Sequence, residues 1–271
     1  MTLELLRNRW TYSVLVALLD GPLPSGLLLL RINAGAARNA ELVGPYVLRA
    51  PVLLARLRQM ETEGLLLTRH ADPGGGKGSD LEELTQAGRE LLNSLWRVSG
   101  WATDRREHLT FALLRHRRHQ QRNSGGDELR LAAEVLTPEQ ESRRATGLAL
   151  GVLRTRWAFA VLCQLDHGAQ RPTAVTEAVN AGVGRNRDLT KGRSLSEKVF
   201  WDTLHRLVDA GLAVHRPRPG QIASTARCTP TPAGRALLDA LTPVGEWAVE
   251  HEEDLLTIVR RRRGLADPGG L

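Results

Sequence analysis

The chain matches itself. Shifted by 147 residues, Leu6, Arg7, Arg9 and Trp10 fall on Leu153, Arg154, Arg156 and Trp157. Val14, Leu15, Leu18 and Gly21 fall on Val161, Leu162, Leu165 and Gly168. Asn33-Ala34-Gly35 falls on Asn180-Ala181-Gly182, and Val52, Leu57, Gly64-Leu65 and Arg69 on Val199, Leu204, Gly211-Leu212 and Arg216. After one deletion the offset becomes 146: Thr85, Ala87-Gly88-Arg89, Leu91-Leu92 and Trp101-Ala102 fall on Thr231, Ala233-Gly234-Arg235, Leu237-Leu238 and Trp247-Ala248. So many matches in one register point to a tandem duplication of a unit of about 120 residues, an ordinary domain size. This predicts one domain at 1–121, a linker at 122–127 where Asn-Ser-Gly-Gly breaks the helical pattern, and a second domain at 128–271.

In the first copy, apolar residues at 6, 10, 14, 15, 18 and 19 make a helical stripe that ends at Asp20-Gly21-Pro22. A short second helix is expected over Leu27–Ile32, stopped by Asn33-Ala34-Gly35. A third is expected from Arg49 to Glu63, with Leu53, Leu57 and Met60 inward, Pro51 in its first turn and Gly64 as its cap. Leu65–Ala71 and Leu81–Leu84 have strand character around the turn Asp72-Pro73-Gly74-Gly75-Gly76. Thr85-Gln86-Ala87-Gly88-Arg89 then opens one long amphipathic helix to about Arg118.

The second copy repeats the order. Ser194 and Glu197 have capping-box spacing, Phe200, Leu204 and Leu207 form the inner stripe, and Leu212–Pro217 and Ala226–Thr229 are strands. Three helices, a two-stranded wing and a further helix make a winged helix. The expected class is mainly α with small β wings: two tandem winged-helix domains, with long helices packing between them. The third helix of such a unit suits the DNA major groove.

Charge is compatible with that. The 271 residues carry net +7 with a pI near 10.3, +5 of it within residues 1–125. A basic surface suits a polyanion, although 34 of the 37 basic residues are arginine, which also fits a basic, GC-rich proteome. No apolar run reaches the ~18 residues of a membrane span, and Met1–Trp10 has no signal core, so a cytoplasmic protein without membrane partners is expected. The two cysteines, Cys163 and Cys228, do not form a CxxC zinc site.

Arg-Trp before an apolar helix and Asp-Gly-Pro, with Leu-Arg-Gln-Met-Glu-Thr-Glu-Gly-Leu at 57–65 and Leu-Thr-Gln-Ala-Gly-Arg-Glu-Leu-Leu at 84–92, resembles the HxlR-type winged-helix regulators. Arg156-Trp157, Leu204–Leu212 and Thr231–Leu238 are the counterparts. The resemblance implies a bacterial transcription regulator. Such regulators are generally dimers joined through their terminal helices, so two units in one chain imply a covalent pseudo-dimer, alone or as a homodimer. Three departures stand out. Each copy has an insertion before its third helix (roughly 33–45 and 180–192), neither cysteine sits near the N-terminus as in the oxidant-sensing relatives, and the third helix of the first copy is unusually apolar.

Double-stranded DNA is the expected partner. Groove-facing candidates are Arg49, Pro51, Ala55, Arg56 and Arg58, then Ser196, Lys198, Asp202 and His205. Arginine can pair bidentately with guanine, and serine and lysine can meet bases or phosphates. Wing cations for phosphate are Arg69 and Lys77, then Arg216, Arg218 and Arg227. Arg38, Arg185, Arg187 and Lys191 in the insertions either touch phosphate or serve a loop docked on its own domain. The two third helices differ at nearly every outer position, which suggests an asymmetric operator or one copy that no longer reads DNA.

Six of the eleven aromatics are tryptophan. Trp10, Trp157, Trp101 and Trp247 match across copies and are expected in the core. Trp96 and Trp201 are unmatched and are candidates to line a cleft for a small planar apolar effector. No cofactor, metal site or enzyme activity is expected. Gly74–Ser79 lacks the Lys-Ser/Thr of a phosphate loop, His251-Glu252 lacks a second histidine, and His116 and His119 have no acidic partner nearby. The expected function is an effector-modulated DNA-binding regulator. The alternative is a small-molecule-binding protein on the same scaffold that no longer reads DNA, kept open by apolar Val52–Leu54.

Overall fold

The computed structural model describes residues 5–38, 47–70, 80–121, 136–185, 193–217, 219 and 222–262; the side chains of 37–38, 116–121, 184–185 and 258–262 lie outside that description. The described residues are mainly helical with small antiparallel sheets. No single helix among them is long and apolar enough to cross a membrane.

Two compact units divide the chain. The first joins Met1–Arg97 to Pro243–Leu271 and the short stretch Ala132–Leu136; the second joins Val98–Leu131 to Thr137–Thr242. They do not follow the order of the sequence repeat. Each unit takes its first helices and strands from one half and its closing helices from the other. The breaks lie at equivalent places, inside the helices beginning at Trp96 and at Thr242. Halves whose sequences match carry matching apolar faces, so local pattern does not decide which half closes which unit.

In the first unit, α1 (Arg9–Ala17) is capped by the Asn8 side chain and buries Trp10, Val14 and Leu15. A two-residue strand, β1 (Leu23–Pro24), precedes α2 (Ser25–Arg38). The expected helix stop at Asn33 does not operate, because α2 runs straight through it. The Asn33 carboxamide instead donates to the Leu48 carbonyl and accepts from the Leu48 amide, both at 2.9 Å, and so ties off the start of α3 (Ala50–Thr62). Leu53, Leu57 and Met60 are buried, and Gly64 takes φ +68°, the left-handed turn a side chain would resist. The strands β2 (Leu66–Arg69) and β3 (Leu81–Leu84) pair antiparallel, and β1 joins the far edge of β3.

The long helix expected to Arg118 is three helices: α4 (Gln86–Ser94), α5 (Trp96–Thr103) and α6 (Arg106–Gln121). Its apolar stripe was continuous enough to conceal the breaks at Leu95 and near Asp104. Within the second unit, α6 packs against α7 (Pro138–Leu153) and against the helix Glu197–Asp209. The start of α7 is fixed by a capping box between Thr137 and Gln140.

The same local devices recur in the second unit. They place α8 (Ala158–Asp166), α9 (Pro172–Arg185), α10 (Glu197–Asp209), β4 (Ala213–His215), β5 (Cys228–Pro230) and α11 (Pro232–Ala240). Asn180 pairs both ways with Leu195, as Asn33 does with Leu48. Gly211 takes φ +67°, and a bridge from Gln170 to Cys228 stands where β1 meets β3. Thr85 and Thr231 cap α4 and α11, each hydroxyl donating to the carbonyl of Gly64 or Gly211 at 2.6 Å. Ser196, not Ser194, caps α10, its hydroxyl accepting from the Val199 amide. The last helices, α12 (Thr242–Glu250) and α13 (Glu252–Arg262), complete the first unit from Pro243 onward.

The four matched tryptophans are buried, between 4% and 8% exposed. Trp101 of α5 donates from Nε1 to the Ala233 carbonyl at 3.1 Å, which fastens that helix to the start of α11.

Candidate nucleic-acid interface

On α3 the inward turn of Leu53, Leu57 and Met60 leaves Ala50, Pro51, Val52, Leu54, Ala55 and Arg58 exposed, with exposed Arg49 as the N-cap residue. Val52 is 49% and Leu54 41% exposed, so this face carries two cations on a largely apolar ground. Arg69, at the end of β2, is exposed and pairs with Glu83 at 2.6 Å, a contact that water weakens.

Arg56 does not belong to that face. It is 4% exposed, and Nη2 donates to Glu63 Oε2 at 3.1 Å and to the Leu5 carbonyl at 3.3 Å. Position 56 lies one helical turn before Met60, on the buried side, so the guanidinium can reach no duplex. It is a buried ion pair that ties the end of α3 to the segment before α1.

On α10, Lys198, Asp202 and His205 are exposed, with Glu197 in the first turn. Ser196 lies at the very start of the helix, its hydroxyl already engaged as the cap. Trp201 occupies this outer side rather than a cleft. Its ring lies 5.2 Å from His215 of β4 and 6.0 Å from His205, and its Nε1 donates to Glu197 at 3.4 Å. That seam couples α10 to β4. Exposed Arg216 follows β4 directly, so Lys198, His205 and Arg216 all lie on α10 or at the end of the strand that Trp201 joins to it. Arg227 is exposed but donates to the Ala169 carbonyl at 2.7 Å. Arg38 and Arg185 end α2 and α9 with side chains outside the description; Lys77, Arg187, Lys191 and Arg218 lie outside the described residues.

Trp96 is 66% exposed with Arg97 over its ring, and neither it nor Trp201 is among the described residues that line a cavity in each unit. One of these, about 770 Å³, lies in the second unit against the side of α10, between Thr155, Arg156, Trp157, Val199, Asp202 and Arg206. Burial pulls the Arg206 guanidinium below its usual range, Arg154 adds to that, and Asp202 opposes it. Among the described residues no cluster of His, Cys, Asp and Glu is placed to hold a metal.

Two features of the seam were not anticipated from sequence: the asparagines that set the starts of α3 and α10, and the role of Trp201. The first had a signal, since Asn33 and Asn180 match across copies. The second had none, since Trp201 is unmatched.

Cys163 and Cys228 are both pushed up to about 11, chiefly by burial, with Asp166 adding to the effect at Cys163. Against an ordinary value of 9.0 this cuts the thiolate at pH 8 by about a hundredfold. Iodoacetamide at pH 8 is expected to alkylate the native chain about a hundredfold more slowly than the urea-unfolded chain. Equal rates would mean that neither thiol is protected.

Compared with protein families, with curated proteins and with solved structures, the chain gave no match.

Proposed function

We propose that the chain is a double-stranded-DNA-binding transcription regulator. In this reading it carries two winged helices in tandem, resembles the HxlR type, and acts as a covalent pseudo-dimer whose binding a small effector modulates. The observation that carries the reading is the matched pair of short helices, α3 and α10. Each is tied off by an asparagine, closed by a left-handed glycine and followed by an antiparallel wing, and each turns its outer side to solvent. Arg49 and Arg58 on one, and Lys198, His205 and Arg216 on the other, are the groups that would meet the duplex.

The two faces are not equivalent. The first is apolar with two arginines; the second mixes Lys198 and His205 with Glu197 and Asp202. An asymmetric operator follows, and footprinting should show unequal half-sites. Gel shifts of the full chain against the DNA upstream of its own gene, at two salt concentrations, test the whole reading. Lys198→Ala and Arg216→Ala should each lower the salt slope by about one. Retention that vanishes equally for all DNA at moderate salt would overturn sequence-specific reading. The exposed Val52 and Leu54 favour the second reading, a small-molecule-binding protein that has given up DNA, and that result would select it.

A further inference from the structure

The cavity beside α10 is lined by two guanidinium-bearing side chains. Arg156, just before α8, and Arg206 of α10 are both half-buried, so each has lost part of its water and still keeps open surface. Trp157, Val199 and Val208 give the same cavity an apolar wall, and Arg156 lies over the Trp157 ring, 5.3 Å from its centre. At about 770 Å³ the volume is within the range of small-molecule sites.

Two carboxylates share the lining, and they do not balance the arginines. Asp209 is engaged by Arg115 at 3.2 Å. Asp202 is exposed, and a third guanidinium, Arg154, lies near Arg206. Burial and Arg154 together pull the Arg206 guanidinium below its usual range, and Asp202 offsets only part of that. The first unit places its charges differently. By the 147-residue offset, Gln59 stands for Arg206, Ala55 for Asp202 and Arg56 for Thr203. The buried Arg56 has Glu63 at 3.1 Å, whereas the second unit has Ala210 where that carboxylate stands. The second unit has therefore moved an arginine to the cavity wall and dropped the acid that accompanies its counterpart.

We infer that this cavity of the second unit binds an organic carboxylate with a flat apolar body. The guanidinium groups of Arg156 and Arg206 hold the carboxylate, a pairing their planar donor geometry suits. The body lies along Trp157, Val199 and Val208. His205 lines the same cavity, so the ligand meets a group that the regulator reading gives to the duplex. The inference names the effector class of that reading and rests on it only for the consequence of binding.

The probe is 2-naphthoate, and 2-naphthamide, neutral and of the same shape, is its control. Titrated by calorimetry into the full chain without DNA, 2-naphthoate should bind saturably and 2-naphthamide should not. Arg206→Gln installs the residue that the first unit carries, and should weaken binding by about tenfold or more. Arg156→Gln should act in the same direction, and serves alone if Arg206→Gln does not fold. Asp202→Asn should tighten binding by about threefold, the opposite of its effect on a cation. No saturable binding, equal binding of 2-naphthamide, unchanged affinity in the arginine variants or weaker binding in Asp202→Asn would overturn the inference. An absence of 2-naphthoate binding, with DNA binding lowered by Arg206→Gln, would assign these arginines to duplex phosphate instead. Because the titration contains no DNA, its failure and a failed gel shift are separate results.

Discussion

Arg56→Ala is expected to cost the chain about 3–5 kcal/mol of stability, because it takes the guanidinium from a buried ion pair with Glu63. Both side chains are 4% exposed or less, so water cannot replace the guanidinium. The carbonyl of Leu5 loses one donor and keeps another, the Thr11 hydroxyl at 2.9 Å. The second half offers an uncharged solution at the same two places. Thr203 and Ala210 stand where Arg56 and Glu63 do, both buried, with the Thr203 hydroxyl donating to the Val199 carbonyl at 2.7 Å. The double variant Arg56→Thr/Glu63→Ala should therefore recover more than half of the loss seen on urea unfolding. A single variant as stable as the parent, with weakened DNA binding, would return Arg56 to the groove face.

Gly234→Ala is the other large effect. An added Cβ would stand 2.2 Å from the Leu212 carbonyl oxygen and 3.3 Å from Leu162 Cδ1. The carbonyl cannot withdraw freely, because it accepts from the Thr231 amide at 3.0 Å, the bond that brings the end of the wing back to the helix before it. Overpacking against backbone of this kind costs ~3 kcal/mol, or roughly 6–12 °C in melting temperature for a unit of this size. Gly88→Ala meets the Leu65 carbonyl at the same 2.2 Å and should behave alike. Gly245, inside α12 with nothing within 4 Å, is the control: there alanine should be neutral or stabilising by about 0.5–1 kcal/mol. Gly234→Ala melting no lower than Gly245→Ala would refute the close approach.

The repeat and the local elements were legible because they depend on neighbours in the chain. Leu53, Leu57 and Met60 recur at helical spacing, and the shift from 147 to 146 falls between the paired strands, where a deletion disturbs no register. In the structure Leu66 pairs with Leu84 as Ala213 pairs with Pro230, the same register on both sides of that deletion. The ends were less legible. Asn33 looked like a stop, yet its carboxamide serves the backbone of Leu48, fifteen residues on. The stripe from Thr85 to Arg118 hid two breaks, because hydrophobic period reports a face and not whether the axis bends.

Residue spacing by itself carried the internal sequence match and which side of each helix turns inward, both of them consequences of short-range periodicity. Folding in three dimensions assigned α5 and α6 to the second unit and α12 and α13 to the first, because equivalent apolar faces in two halves are interchangeable to any local rule. It also withdrew Arg56 into a buried pair with Glu63 and set Arg156 beside the same cavity as Arg206. Each of those depends on which distant side chain arrives, and no stretch of neighbouring residues carries that information.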